Sequence, residues 1–319
     1  MAYPSYIDAF KTKTLHRKAE AAIAMLESCS ICPRKCAVNR LNEKKGFCRT
    51  GKRAIVCSYF AHHGEEPAIS GIRGSGTIFF SRCNLRCVYC QNYDFSQLQE
   101  GNEASAKELA SFMLSLQEER CHNINFVTPT HVLPQILEAL VLAIEDGLHI
   151  PLVYNTSGYE LPKVLQLLEG IIDIYLPDMR YADNACAIKY SSAPGYPEIN
   201  QKAIKEMFRQ VGNAQFDKEG IIKKGLIIRH LVLPQNIAGT EEICAFIAKE
   251  ISPQTYISLM SQYVPAFEAH KHAPLARRIT LEAYEGATEL LKKYGLENGW
   301  IQESGGLKRF AGTHIKRNV

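Results

Sequence analysis

Three cysteines fall within eight residues in Ser81-Arg82-Cys83-Asn84-Leu85-Arg86-Cys87-Val88-Tyr89-Cys90-Gln91-Asn92, a C-x3-C-x2-C triplet. Thiolates are soft metal ligands, and three this close in sequence can wrap one centre. Three is one short of a closed four-coordinate site. A zinc ion needs a fourth ligand, and the candidates Cys57, His62 and His63 all precede the apolar run that leads into the triplet. A [4Fe-4S] cluster with one open iron accounts for the count better. A second set, Cys29-x2-Cys32-x3-Cys36-x11-Cys48, supplies four ligands, with Pro33 and Gly46 shaping the loops. Four thiolates close a structural zinc site or a fully ligated second cluster equally well, and the spacing is not the ferredoxin run C-x2-C-x2-C-x3-C-P. Cys57, Cys121, Cys186 and Cys244 are scattered in or beside apolar segments and read as small buried hydrophobes.

The chain around these residues has 319 residues, 46% hydrophobic and 22% charged, which excludes a disordered, collagenous or coiled-coil protein. Eleven cysteines without a secretory signal read as metal ligands rather than disulfides. Residues Lys11, Lys13, His16, Arg17 and Lys18 occupy the N-terminus with no apolar core region, and no apolar run reaches the ~20 residues that span a bilayer. A cytoplasmic location with no membrane partner is expected. The net charge of +4 is spread along the chain, so nucleic acid is not implied.

Short apolar runs over 77–80, 124–127, 152–154, 171–176, 226–233 and 256–259 predict six strands, separated by amphipathic stretches. Leu109/Phe112/Met113/Leu116 follow a Ser105-x-x-Glu108 capping box, and Leu133/Ile136/Leu137/Leu140 repeat at helical spacing. Repeated βα units require a parallel sheet with right-handed crossovers. The expected fold class is α/β: a partial, open βα barrel of about six parallel strands, with chemistry at the C-terminal strand ends. Residues 1–70 are expected to form a helical, Cys-rich metal-binding appendage and 71–319 the barrel. His62-His63-Gly64-Glu65-Glu66-Pro67 reads as a loop packed against that barrel.

The C-x3-C-x2-C triplet after the first strand resembles the signature of the radical S-adenosylmethionine (SAM) enzymes. The likeness covers nearly the whole chain and is greatest to the PflX-like branch of pyruvate formate-lyase activating enzyme homologues. It is carried by Cys29-Ser30-Ile31-Cys32-Pro33-Arg34-Lys35-Cys36, residues 70–80, Asn123 to His131 and Arg229-His230-Leu231-Val232-Leu233-Pro234. The resemblance implies that Cys83, Cys87 and Cys90 hold a [4Fe-4S] cluster whose open iron chelates SAM. One electron then cleaves SAM to methionine and a 5′-deoxyadenosyl radical, which takes hydrogen from substrate. It also implies that Tyr89 packs beside the adenine. Val127-Thr128-Pro129-Thr130 replaces the family's Gly-Gly-Glu, with Thr128 or Thr130 and backbone carbonyls substituting for its donor. Tyr154-Asn155-Thr156-Ser157-Gly158 replaces Asp-Thr-Asn-Gly near the ribose, which points to Asn155 and Ser157. Asp178-Met179-Arg180 replaces Asp-Leu-Lys, and Arg229 matches an arginine that faces the cofactor. A cation in so apolar a strand needs a partner; His230, on the opposite side, is a satisfied buried histidine or a functional one.

Three functions fit. The first is a radical SAM oxidoreductase that activates a partner protein by making a glycyl-type radical, supplied with electrons by a flavodoxin or ferredoxin. The second is a radical SAM enzyme acting on a small molecule or an RNA or cofactor precursor, with residues 181–200 as a lid. The third is a non-catalytic iron-sulfur adaptor.

Overall fold

The computed structural model describes residues 3–302. Among the described residues the strands are β1 (Ala54–His62), β2 (Ser75–Phe80), β3 (Asn102–Ala104), β4 (Ile124–Val127), β5 (Leu152–Thr156), β6 (Ile174–Pro177), β7 (Gln215–Phe216), β8 (Ile222–Leu231), β9 (Tyr256–Met260) and β10 (Gly299–Ile301). They form one sheet in the order β10-β9-β8-β6-β5-β4-β2-β1-β3, with β7 paired to β8. From β2 to β10 every neighbour along this path is parallel; β1 is antiparallel to β2 and to β3. The end strands β3 and β10 are not paired with each other, so the α/β barrel is partial and open.

Strands β2, β4, β5 and β6 are buried along their whole length, as expected of parallel strands covered on both faces. Phe79, Val127, Asn155 and Leu176 share one register row. Their C-terminal ends therefore finish level, and the loops that follow converge on one end of the barrel.

The helices are α1 (Tyr6–Lys11), α2 (Thr14–Ala24), α3 (Pro67–Ser70), α4 (Tyr93–Ser96), α5 (Ala106–Glu118), α6 (Leu133–Glu145), α7 (Pro162–Leu165), α8 (Asn184–Ser191), α9 (Tyr196–Val211), α10 (Thr240–Phe246) and α11 (Leu281–Lys293). The Ser105–Glu108 capping box opens α5, and Leu109, Ala110, Met113 and Leu116 bury its inner face. The main core joins these residues to Ile78, Phe80, Ile124, Phe126 and Leu140, and Leu15, Ala19 and Ala22 of α2 belong to it as well.

The structure refines the expected architecture in three details. The parallel run has seven strands rather than six, because β10 adds to β9. Three-residue β10 and β3, and two-residue β7, are too short to carry a periodicity. Strand β6 starts at Ile174, three residues late, because the Ile171 and Ile172 amides are spent in a turn on the Leu168 carbonyl, at 2.9 and 3.1 Å. The sheet also crosses the expected boundary at residue 70, since β1 pairs with β2 over six residue pairs. The cysteine-rich segment ahead of it keeps a small core of its own, Leu26, Cys29 and Ile31.

Candidate active site

The C-terminal strand ends surround a cavity of about 1370 Å³. Cys83, Cys87, Cys90, Tyr89, Thr128, Asn155, Ser157, Asp178, Arg180 and Arg229 all line it. Residues spread over 147 positions are thus brought to one space by the level strand ends.

The cysteine loop leaves β2 and is held along its length. The Arg86 and Val88 amides donate to the Ser191 and Tyr190 carbonyls at the end of α8, both at 2.9 Å. The Asn84 amide group donates to the Tyr159 carbonyl at 3.0 Å. Each thiol has a neighbour: Leu85 N–H donates to Cys83 Sγ at 3.3 Å, and Cys90 Sγ lies 3.1 Å from Ser96 Oγ. Cys87 Sγ receives Ser191 Oγ at 3.0 Å and an Arg180 guanidinium nitrogen at 3.4 Å. Burial, reinforced by the neighbouring Cys87, pushes the Cys83 thiol up to about 12 and the Cys90 thiol up to about 11. Such thiols give up their protons only to a cation that replaces them, which is what ligation by iron does.

The donor set therefore suits a cluster: two buried thiols and one half-buried, donors poised to stabilise bound sulfur, and a cavity on the open side. Among the described residues, no three His, Cys, Asp or Glu side chains converge tightly enough to hold a single metal ion.

Residues 181–200 form no lid. Tyr181, Tyr190, Tyr196 and Ser191 are buried with Cys83, Leu85 and Cys87 in one cluster, beneath the cysteine loop. Tyr89 joins the same cluster, with its hydroxyl 2.7 Å from that of Tyr181 and its ring edge-on to Tyr263.

The loops after β4, β5 and β6 add polar groups. Thr128 follows β4 at φ +61°, a conformation that is rare for a β-branched residue, and its amide donates to the Asn155 carbonyl. Thr130 points elsewhere and donates to the buried Glu160 carboxylate at 2.6 Å, leaving Thr128 as the threonine on the cavity. Ser157 Oγ is buried without a partner. Gly158 follows at φ +71°, where a Cβ would approach the Asp178 carbonyl to 2.7 Å, so glycine is required for β5 and β6 to end side by side.

Asp178 accepts two bonds from Arg180, from Nε at 3.1 Å and from a terminal nitrogen at 2.5 Å. Arg180 thereby bridges Asp178 and Cys87. Burial opposes a charge on Arg180, yet Asp178 and Cys87 hold it firmly protonated. Arg229 on β8 reaches Glu65 at 3.3 Å, Glu66 at 3.4 Å, Asp178 at 3.8 Å and Asn155 at 3.4 Å. Burial likewise opposes its charge, and Glu66, Glu65 and Asp178 restore it.

The partner that an arginine in an apolar strand requires is thus the Glu65–Glu66 pair, which the sequence reading had assigned to a packing loop. His62 at the end of β1 and both glutamates at the start of α3 line the cavity instead. The signal was available: an arginine inside β8 demands carboxylates, and Glu65-Glu66 is a carboxylate pair outside any helical surface pattern. His230 is satisfied, with Nδ1 2.8 Å from the Met179 carbonyl and Nε2 3.0 Å from Thr240 Oγ1. Met260 and Gln262 line the cavity, whereas Tyr263 is buried below it and donates to the Leu275 carbonyl.

The N-terminal cysteines lie outside the cavity. Phe47 N–H donates to Cys36 Sγ at 3.4 Å, and a Cβ at Gly46 would come within 2.7 Å of that sulfur. Arg40, fully buried, reaches Cys29 Sγ at 3.9 Å. Burial pushes the Cys32 thiol up to about 12. The two cysteine loops adjoin: Arg34 and Arg86 lie on the Phe47 ring, and Arg34 donates to the Asn84 carbonyl at 2.9 Å. No disulfide joins any of the cysteines among the described residues.

The family model of the radical SAM superfamily matches residues 77–247. An uncharacterized protein of Methanocaldococcus jannaschii, MJ0674, is 33% identical over 304 residues, covering 91% of this chain and 82% of that protein. The pyruvate formate-lyase-activating enzyme of Clostridium pasteurianum is 30% identical over 112 residues, 34% of this chain and 46% of the enzyme. Among solved structures, a radical SAM methyltransferase from Sphaerobacter thermophilus is similar at a TM-score of 0.49 with 14% identity, over 73% of this chain and 67% of that one. No helix among the described residues is long and apolar enough to cross a membrane.

Proposed function

This chain belongs to the radical SAM superfamily, and we propose from that premise that it is an enzyme whose barrel cavity presents a polar substrate of small size to a SAM-derived radical. A [4Fe-4S] cluster held by Cys83, Cys87 and Cys90, with SAM at its open iron, supplies reductive cleavage of SAM to methionine and a 5′-deoxyadenosyl radical. The protein's own residues hold, orient and exclude water. Arg180 neutralises charge at Cys87 and fixes Asp178, while Tyr89, Thr128, Asn155 and Ser157 offer one aromatic edge and several unspent polar groups to the cofactor. Leucines and tyrosines beneath the cysteine loop shield the sulfurs from solvent.

The observation that carries the small-substrate reading is the wall of the cavity where the buried carboxylates of Glu65 and Glu66 meet the half-buried Arg229, in a volume larger than the ~300–1,000 Å³ of a usual one-ligand pocket. Buried charges are costly beside an apolar protein loop and suit a polar molecule that replaces water. Activation of a partner protein, as in the PflX-like activase homologues, is the second reading, favoured by the 30% identity to the activating enzyme over about a third of the chain. In either case the electron comes from a reduced flavodoxin or ferredoxin.

Anaerobic reconstitution with iron and sulfide, followed by dithionite and SAM, tests the proposal. 5′-Deoxyadenosine is expected; its absence from protein carrying about four irons at the barrel site overturns the enzyme reading. Deuterium entering 5′-deoxyadenosine from labelled small molecules supports the first reading, and from labelled peptides only, the second.

A further inference from the structure

We infer that the wall formed by His62, Glu65 and Glu66 is a subsite for a cationic nitrogen of the substrate, an ammonium or a guanidinium group. The inference rests on the small-substrate reading above and names the chemistry of that substrate.

The charges decide it. Three carboxylates and two guanidiniums meet at this end of the cavity. Asp178 is taken by Arg180 through two hydrogen bonds. That leaves Arg229 to serve both Glu65 and Glu66, at 3.3 and 3.4 Å, so with both carboxylates ionised one negative charge is unmatched. His62 does not supply the missing positive charge. Burial, aided by the nearby Arg229, holds its imidazole down at about 4, so the ring is neutral at physiological pH.

The hydrogen bonds agree with the charges. Glu66 Oε2 is buried with no partner, as are both ring nitrogens of His62, although Nδ1 stands 3.6 Å from Glu65. Glu66 and His62 are 7% and 6% exposed, and both line the cavity. Glu65 accepts from Asn125 at 3.2 Å through one oxygen and from Arg229 at 3.3 Å through the other. Buried acceptors left unmade are rare and costly. An ammonium or guanidinium group brings a positive charge and several N–H donors, which suit two carboxylates and the one unprotonated nitrogen of a neutral imidazole. An anion is repelled, and a neutral alcohol leaves the extra charge unmatched.

The wall and the cysteine loop come from different elements. The wall lies at the end of β1 and the start of α3, whereas the thiols follow β2, and it is Arg180, holding Asp178, that reaches Cys87. Within a 1370 Å³ cavity, a second molecule fits alongside one held at the cysteine loop.

The groups facing Glu65 are His62 from β1, Glu66 beside it, Asn125 from β4, Asp178 after β6 and Arg229 from β8. Burial, opposed by Arg229 and assisted by Glu66 and Asp178, lifts the Glu65 carboxyl to about 7. The empty subsite therefore keeps a proton near neutrality, and an arriving cation displaces it. Affinity for a cation rises as pH passes from 6 to 8.

The test is calorimetry on the reconstituted, anaerobic protein with SAM present. Agmatine and spermidine are titrated against 1,4-butanediol and succinate, in two buffers of different ionisation enthalpy. At least tenfold tighter binding of the cations, release of a proton, and an approximately tenfold gain in affinity from pH 6 to 8 are expected. Glu66→Gln should weaken cation binding about tenfold. Equal affinity for butanediol, preference for succinate, or displacement of the cation by micromolar Mn²⁺ or Zn²⁺ overturns the inference. If Glu66→Gln fails to fold, proton release and its pH dependence in the unaltered protein still decide. A lysine-containing hexapeptide and its Nε-acetylated form separate a free amine from a peptide side chain as the source. The two readings fail separately: no 5′-deoxyadenosine from the unaltered protein removes the proposed function, whereas 5′-deoxyadenosine without cation preference removes this inference alone.

Discussion

The two cysteine loops of this molecule touch each other and are built in different ways. The N-terminal loop carries four cysteines in its own sequence, and the neighbours of two of them, Arg40 at Cys29 and the Phe47 amide at Cys36, each lie eleven residues away. The barrel loop brings three, and the groups that serve its central thiol, Ser191 and Arg180, lie 104 and 93 residues away. A fourth thiolate closes a centre and leaves it stability to contribute, whereas a missing fourth ligand together with a cavity leaves room for a second molecule to bind and react. The comparison teaches that ligand count and surroundings, more than cysteine spacing, separate a structural centre from a reactive one.

The most direct way to break this contrast is Cys87→Ala. It is expected to lower 5′-deoxyadenosine formation more than 1,000-fold in a chromatographic assay while leaving N-terminal metal in place by elemental analysis; retained cleavage would mean the reactive centre is elsewhere. Cys32→Ala should do the reverse. N-terminal metal is lost and Tm falls by about 5–10 °C, on the scale of a structural metal site, while iron at the barrel loop is kept. An unchanged Tm in differential scanning calorimetry would show that the N-terminal cysteines do not hold a stabilising metal.

Arg180→Lys sharpens the comparison at the barrel loop. A lysine has one compact donor group and cannot bridge Asp178 and Cys87 as the guanidinium does, so turnover should fall about tenfold with thermal stability little changed. Glu160 gives a pH handle on the packing between the loops. It is fully buried, its carboxylate accepts from Thr130 and Thr156 at 2.6 Å each, and burial lifts it to about 7. A carboxyl raised in the folded state contributes stability that is complete below about pH 4.5 and is lost as pH rises through 7. Glu160→Gln should flatten the decline in Tm between pH 5 and 8 and stabilise the protein at pH 8 by on the order of 2 kcal/mol; a decline as steep as in the parent would assign the pH dependence to other groups. The smallest effect is expected of Arg34→Ala, which removes the stacking on Phe47 and the bond to the Asn84 carbonyl that couple the loops. A loss of about 1 kcal/mol in urea unfolding is expected, with both metal contents unchanged.

Much of this was legible in the chain itself. Apolar runs of three to eight residues announced β2, β4, β5, β6, β8 and β9, because strands buried on both faces are written as continuous hydrophobic stretches. The capping box at Ser105 and Glu108 announced α5. Strand β1, with Ala54-Ile55-Val56-Cys57-Ser58-Tyr59-Phe60, is rich in strand formers but carries neither an unbroken apolar run, being interrupted at Ser58, nor a clean alternation, because its burial is mixed. Strand β10 was missed because three residues have no period to detect.

At the site, the residue types that ligate or carry charge were visible wherever a strand end announced them: Cys83, Asn155, Asp178 and Arg229 each follow or end a readable strand. Glu65 and Glu66 were not, since their meaning depends on Arg229, 164 and 163 residues away, and on the antiparallel β1 carrying them to the barrel mouth. Residues 181–200 misled for the same reason: as a long insertion they resembled a lid, and only packing shows Tyr181, Tyr190 and Ser191 under the cysteine loop.

The sequence by itself determined the chemistry available to this protein: three thiols on a loop after a buried strand, in a succession of βα units. Those features are local, and local spacing and hydrophobic period encode them. Tertiary structure alone decided how the charges are matched. Whether Arg229 is shared by two glutamates and whether one carboxylate is left over depend on distances between chain segments more than a hundred residues apart, and electrostatic energy depends on those distances and on burial rather than on order along the chain.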